Sequence, residues 1–132
     1  KRKEPTMEKS FKERVEEAKA AVRAVTPQEA HARKTGDPGT LFIDPRGADD
    51  IRKTTGIIPG ALNVSLKDLS EASEDNLPHE LASHSRPIIT ACQGGPMGAL
   101  AAHALQQRGF GNVAFIDGGT QGWLDAGYTT IR

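Results

Sequence analysis

Near the start of the chain, apolar residues recur at helical steps. Met7, Phe11, Val15, Ala18, Val22 and Val25 fall three or four positions apart, with Lys, Glu and Arg between them. The spacing predicts one amphipathic helix from about Met7 to Val25 with a single apolar stripe. A stripe of this kind has to pack, either on the chain's own domain or on a second copy. Thr26-Pro27-Gln28-Glu29 then supplies a hydroxyl cap, a proline at the first helical position and a glutamate at the third, so a second helix runs toward Gly36. Two helices are therefore expected ahead of the first strand. Thr40-Leu41-Phe42-Ile43 reads as that strand and delivers Asp44-Pro45-Arg46 at its carboxyl end.

Beyond it, a short helix around Asp49–Lys53 and a turn at Gly56 lead to Pro59-Gly60, which bends the chain before a second strand ending near Val64. Polar residues dominate from Lys67 to Ser85, where short helices are expected. The β-branched run Ile88-Ile89-Thr90-Ala91 reads as a buried third strand, Gly98–Arg108 as its following helix, Val113–Ile116 as a fourth strand and Thr120–Ala126 as the last helix. Strands separated by helices imply crossover connections, a parallel sheet and the α/β class, with a ligand outside the carboxyl ends of the strands. Three of those ends carry chemistry: Asp44 with Arg46, Cys92, and Asp117 with Gly118 and Gly119.

Size and charge narrow the classes. The 132 residues suffice for one domain with one core. Lys plus Arg and Asp plus Glu number 17 each, so net charge gives no electrostatic case for nucleic acid or a membrane surface as partner. The single cysteine has no intramolecular disulfide partner. An exposed thiol suits a reducing compartment, and a cytoplasmic location is expected. No apolar run approaches the roughly 18 residues that span a bilayer. His31, His79, His84 and His103 lie at no metal-ligand spacing, and none has a cysteine in a ligand pattern.

Cys92 stands between the third strand and the Gln93-Gly94-Gly95-Pro96-Met97-Gly98 turn that opens the Ala/Leu-rich helix. The first amides of such a helix have no intrahelical partners, so the turn forms a cradle for negative charge. A thiolate is negative, and the cradle favours this nucleophilic form. Gly94 and Gly95 permit amide orientations that a β-carbon forbids, and Pro96 stiffens the loop. The competing reading is a buried structural cysteine at the end of a strand, followed by an ordinary tight turn. Asp44 and Arg46 also admit two readings. They form either a buried pair that locks the strand end against the Cys92 loop, or a source of positive potential at its mouth. Asp117 divides the same way, with its glycine turn bringing backbone close to the Cys92 loop. Trp123 reads as core.

Five pieces in this order are specific: Phe42-Ile43-Asp44-Pro45-Arg46, Gly56 to Asn63, the cysteine loop, Arg108-Gly109-Phe110-Gly111-Asn112-Val113, and Asp117-Gly118-Gly119 with Trp123 and Ala126-Gly127. In them the chain resembles a single-domain rhodanese, a sulfurtransferase-type domain, from about Val25 to its end. The resemblance implies a three-layer fold with a mostly parallel central sheet. It assigns 26–132 to the rhodanese-like domain and 1–25 to an extra N-terminal helical extension. It further implies that Cys92 takes a sulfane sulfur from a small donor, thiosulfate or a persulfide, becomes a persulfide, and passes the sulfur to cyanide or to a thiol acceptor, small or protein-borne. No metal or organic cofactor enters this ping-pong chemistry.

Met97 stands where sulfurtransferases of this type often carry arginine, Gly98 where serine is common, and Ile57 where a histidine is common. The loop is therefore uncharged, and an anionic donor meets only amides and a helix end, without the bonds of a guanidinium. Poor use of thiosulfate is expected, with Met97 as an apolar lip or as simple packing. A non-catalytic protein-binding module of the same fold is the alternative. A phosphatase, which clamps phosphoryl oxygens with a guanidinium at this loop, lacks that group here.

Overall fold

Alternation of side chains along five short strands sorts the core into two layers. The computed structural model describes residues 9–132. Strands β1 (Arg23–Val25), β2 (Leu41–Asp44), β3 (Leu62–Asn63), β4 (Ile88–Thr90) and β5 (Val113–Ile116) form one sheet in the order β1-β5-β4-β2-β3. Every pairing in it is parallel. Leu41, Ile43, Ile88 and Phe115 pack on one face, and Phe42, Ile89, Ala114 and Ile116 on the other, the period of two that a pleated strand imposes. Helices α1 (Phe11–Ala21), α4 (Leu66–Glu71) and α5 (Pro96–Gln107) cover the first face. Ala30 of α2 (Pro27–Gly36) and Trp123 of α6 (Gly119–Asp125) cover the second. A short α3 (Ala48–Lys53) follows β2, and two 3₁₀ turns, Glu74–Asn76 and His79–Leu81, lie in the polar stretch where short helices were expected.

The N-terminal segment differs from expectation. Ser10 and Glu13 cap α1 reciprocally, so the helix starts at Phe11, and Met7 lies outside the described residues. It stops at Ala21. Val22 is extended (φ −120°, ψ 144°), and Arg23–Val25 pair with Ala114–Ile116 of β5. Only one helix precedes the first strand, and that strand is β1 rather than Leu41–Asp44. The cause is tertiary: β-branched Val22 and Val25 suit an extended, half-buried edge, and β5 supplies the backbone partners a longer helix would have had to supply itself. Val25 thus joins the core of Ala30 and Trp123, whereas Val15, Ala18 and Val22 pack beside Ala99, Leu100 and Ala102 of α5.

The stripe therefore packs on the chain's own domain, with Phe11 as the exception at 58% exposure. Ala18→Asp is expected to cost more than about 3 kcal/mol, because it buries an unpaired carboxylate. Phe11→Asp should leave the melting temperature within a degree or two of wild type, a contrast that thermal denaturation of both variants measures. At the other end of α5, Arg108 donates to the carbonyls of Leu69 (2.6 Å), Asp68 (3.1 Å) and Ala72. It also pairs with Glu74 at 2.9 Å, which staples the 68–74 segment to the helix that carries the cysteine loop.

Candidate active site

Strand β4 ends two residues before the cysteine, and its last side chain fixes where the following helix begins. Thr90 Oγ1 donates to the Gly98 carbonyl at 2.6 Å, inside the first turn of α5. A β-carbon on Gly98 would lie 3.2 Å from the Cys92 nitrogen, so the helix start rests directly on the Cys92 backbone. Between them the loop turns at Gly95, whose φ of +124° is closed to ordinary side chains, and Pro96 takes the first helical position. The Gly95 N–H points inward and donates to Cys92 Sγ at 3.0 Å. Gly94 is exposed, has no positive φ and open space where a β-carbon would stand, so Gly95 alone of the two uses the freedom of glycine. Pro96 has no N–H to offer the sulfur.

A second helix holds the loop from behind. The Thr120 N–H donates to the Cys92 carbonyl at 2.7 Å and the Gln121 N–H to the Gln93 carbonyl at 3.0 Å. The first amides of α6, orphaned by helix geometry, are thus satisfied by the cysteine loop itself. This docking depends on Gly119, whose φ is +64° and whose β-carbon would sit 2.7 Å from both carbonyl oxygens. The approach of the glycine turn to the cysteine loop is as expected. Asp117 is not a member of a buried pair: its residue is exposed, it makes no ion pair among the described residues, and its backbone N–H donates to the Val25 carbonyl at 2.8 Å. It starts the turn and does not line the Cys92 cavity.

Asp44 and Arg46 form a buried, two-point pair, with Nε on Oδ1 at 3.0 Å and Nη2 on Oδ2 at 2.7 Å. The guanidinium also donates to the Thr54 hydroxyl, the Thr55 hydroxyl and the Gly56 carbonyl, at 3.0, 2.9 and 3.2 Å. What the pair locks is the turn after α3, not the Cys92 loop as expected, because that turn presents three acceptors to the guanidinium. Removing one partner would leave a buried charge uncompensated. Asp44→Ala is accordingly expected to lower stability by about 3–5 kcal/mol in denaturant unfolding, whereas a charge on the surface would cost far less.

Cys92, 3% exposed, lines a cavity of about 500 Å³. Besides Cys92, it is lined by Gln93, Pro96 and Met97 of the loop and the start of α5, by Arg46, Asp50 and Thr54, and by Phe11 of α1. Of these, Phe11, Asp50 and Thr54 went unforeseen. The upstream end of the apolar stripe was a signal for Phe11, since an apolar side chain beyond the packed part of a helix has to meet something else. Asp50 and Thr54 carry no such signal, because only the docking of α3 beside the loop brings them to the cavity. No histidine lines it, in keeping with Ile57 in place of an imidazole. His31 stacks on Tyr128 with centroids 4.0 Å apart and His84 packs on Phe110 at 4.4 Å, both structural contacts. No group of three or more potential metal ligands occurs among the described residues. No helix among them is long and apolar enough to cross a membrane.

A parallel α/β sheet with a cysteine held in a glycine turn at a central strand end defines the class of fold and site. The family model for the Rhodanese-like domain matches residues 26–126, and the chain belongs to that family. Among solved structures, it resembles a protein of unknown function, described as a possible tyrosine phosphatase, from Rhodopseudomonas palustris CGA009. The two are 26% identical over 98% of this chain and 99% of that chain, with a TM-score of 0.83. The polysulfide-sulfur transferase homodimer of Wolinella succinogenes is 24% identical over 92% of this chain and 86% of that one, with a TM-score of 0.74. A rhodanese-related protein from Thermoplasma volcanium shares 21% identity over 80% of this chain and 94% of that one, at a TM-score of 0.64. Proteins of curated function gave no match to the chain.

Proposed function

We propose that the chain is a sulfurtransferase that moves a sulfane sulfur from thiosulfate or a persulfide to a thiol or cyanide acceptor through a persulfide on Cys92. The observation that carries this reading is the Gly95 N–H on Cys92 Sγ, 3.0 Å away, on a sulfur that lines an open cavity. A structural cysteine needs neither. In the loading step the Cys92 thiolate attacks the outer sulfur of the donor, the donor's sulfur–sulfur bond breaks, and its electron pair leaves with the donor fragment, sulfite in the case of thiosulfate. In the second step the acceptor attacks the outer sulfur of the persulfide, and the pair of the breaking bond returns to Cys92 Sγ. The inward-facing Gly95 amide and the start of α5 stabilise negative charge on the sulfur in both steps.

A phosphatase, the activity suggested for the Rhodopseudomonas palustris protein, fits less well. The loop offers Met97 where phosphoryl oxygens need a guanidinium, and the guanidinium of Arg46 is engaged by Asp44. Cyanide-dependent release of thiocyanate from a sulfane donor tests the transferase reading. Sulfur release with no phosphate release from an aryl phosphate supports it, and the reverse sinks it.

Met97 at the cavity wall also gives a donor-specific expectation. Met97→Arg should raise kcat/KM for thiosulfate by roughly tenfold or more, from about 1–3 kcal/mol of charge-assisted bonding to the sulfonate oxygens. An uncharged donor should change much less, and the gain should shrink as salt is raised. Equal change for both donors would mean that the uncharged loop does not set donor preference.

A further inference from the structure

The charges around the Cys92 cavity do not balance. Arg46 stands in its wall, yet its side chain is 6% exposed and already bidentate on Asp44, so its charge is matched before any ligand arrives. Asp50 in the first turn of α3 is exposed to the same cavity and makes no ion pair among the described residues, while its neighbour Asp49 holds Arg52. Among the described residues, the lining is left with the charge of one carboxylate. The remaining lining is uncharged: Phe11, Pro96 and Met97 are apolar, and Gln93 and Thr54 are polar. Phe11 stands 58% exposed on α1, upstream of the 26–126 segment that matches the family model.

We propose that Asp50 and Phe11 set the specificity of the site: together they select an organic thiol, as acceptor or as its persulfide, that has an apolar body and a neutral or positively charged end. The inference rests on the transferase reading of Cys92. An anion approaching Cys92 meets the Asp50 carboxylate with no free cation among the described lining residues to offset it, whereas a cation is attracted by that carboxylate. An apolar body gains by covering the exposed Phe11 ring. In the transfer itself a thiolate RS⁻ attacks the outer sulfur of Cys92–S–SH. The RS–SH bond forms, the bond to Cys92 breaks, and its electron pair leaves the cysteine as thiolate. Atoms, charge and electrons balance without an oxidant.

Protein loaded at Cys92 with inorganic polysulfide and freed of excess reagent is mixed with single thiols, and intact mass spectrometry follows the loss of the added sulfur. Cysteamine, 2-mercaptoethanol and 2-mercaptoethanesulfonate share a two-carbon chain and differ in charge; 2-phenylethanethiol and ethanethiol differ in apolar body. Intrinsic thiol reactivity cancels when the rate ratio of two thiols is compared between wild type and variant. Asp50→Asn should lower the cysteamine-to-sulfonate ratio by about tenfold at low salt, roughly threefold per unit of ligand charge, and less at high salt. Phe11→Ala should lower the phenylethanethiol-to-ethanethiol ratio by roughly threefold or more. An unchanged ratio in either variant overturns the role of that residue while leaving sulfur transfer in place. A wild-type protein that takes no sulfur at Cys92, or yields it to none of the thiols, overturns the transferase reading and this inference with it.

Discussion

Cys92→Ser is expected to reduce sulfur transfer by at least about a thousandfold, or ~4 kcal/mol in activation free energy, while the fold stays intact. Serine is close in shape, and its oxygen can accept the Gly95 N–H that now reaches Sγ. The backbone carbonyl of Cys92, which receives the Thr120 N–H, is unaffected by the change. A serine hydroxyl is far less acidic than a thiol, so the nucleophile for sulfur is lost without loss of packing. Thiocyanate release and thermal unfolding measured on the same sample separate the two effects. Undiminished release with a normal melting curve would remove Cys92 from the chemistry.

Gly119→Ala is expected to have a large effect on stability for a change of a single methyl group. A left-handed backbone costs alanine ~1–2 kcal/mol, and the new methyl would press on the Cys92 and Gln93 carbonyls at 2.7 Å, adding about 1–3 kcal/mol of overpacking. The sum is about 3 kcal/mol, which corresponds to a fall of roughly 10 °C in melting temperature for a domain of this size. Gly127→Ala isolates the backbone component, since Gly127 has a φ of +96° with nothing within 4 Å of the added carbon. It should lose about 1–2 kcal/mol only. The Gly119 variant should also transfer sulfur more slowly, because the atoms it displaces are those that aim Cys92 into its cavity. Equal losses of stability and activity in the two variants would mean that the docking of α6 does not position the loop.

Much of this architecture was legible in the sequence because its elements are marked locally. The capping box at Thr26 and Glu29, the β-branched run in β4, and the glycine turn after Cys92 each fix a boundary by nearby chemistry. The misreading at Val22–Val25 came from periodicity alone. Steps of three and four also describe a helix followed by a short edge strand, and only β5, nearly a hundred residues away in sequence, supplies the hydrogen bonds that decide between them. Within the site, Cys92 and its loop were visible because strand, turn and helix are contiguous. Asp50 was not, because its approach to Cys92 depends on how α3 packs, which no local signal encodes; for Phe11 the stripe signalled only an unpartnered apolar side chain, and its place beside Cys92 depends on how α1 packs. Asp44 and Arg46 were visible as a pair, but their partner turn was misjudged: Thr54, Thr55 and Gly56 look like an ordinary helix end until the guanidinium is seen among them.

The most direct test of the central claim is intact and peptide-level mass spectrometry of the protein after exposure to a sulfane donor, before and after cyanide. One added sulfur atom, mapped to the peptide that contains Cys92, removed by cyanide with release of an equal amount of thiocyanate and absent in Cys92→Ser, is the expected result. A protein that gains no sulfur under these conditions, or that holds it where cyanide cannot remove it, would contradict a Cys92 persulfide as the carrier.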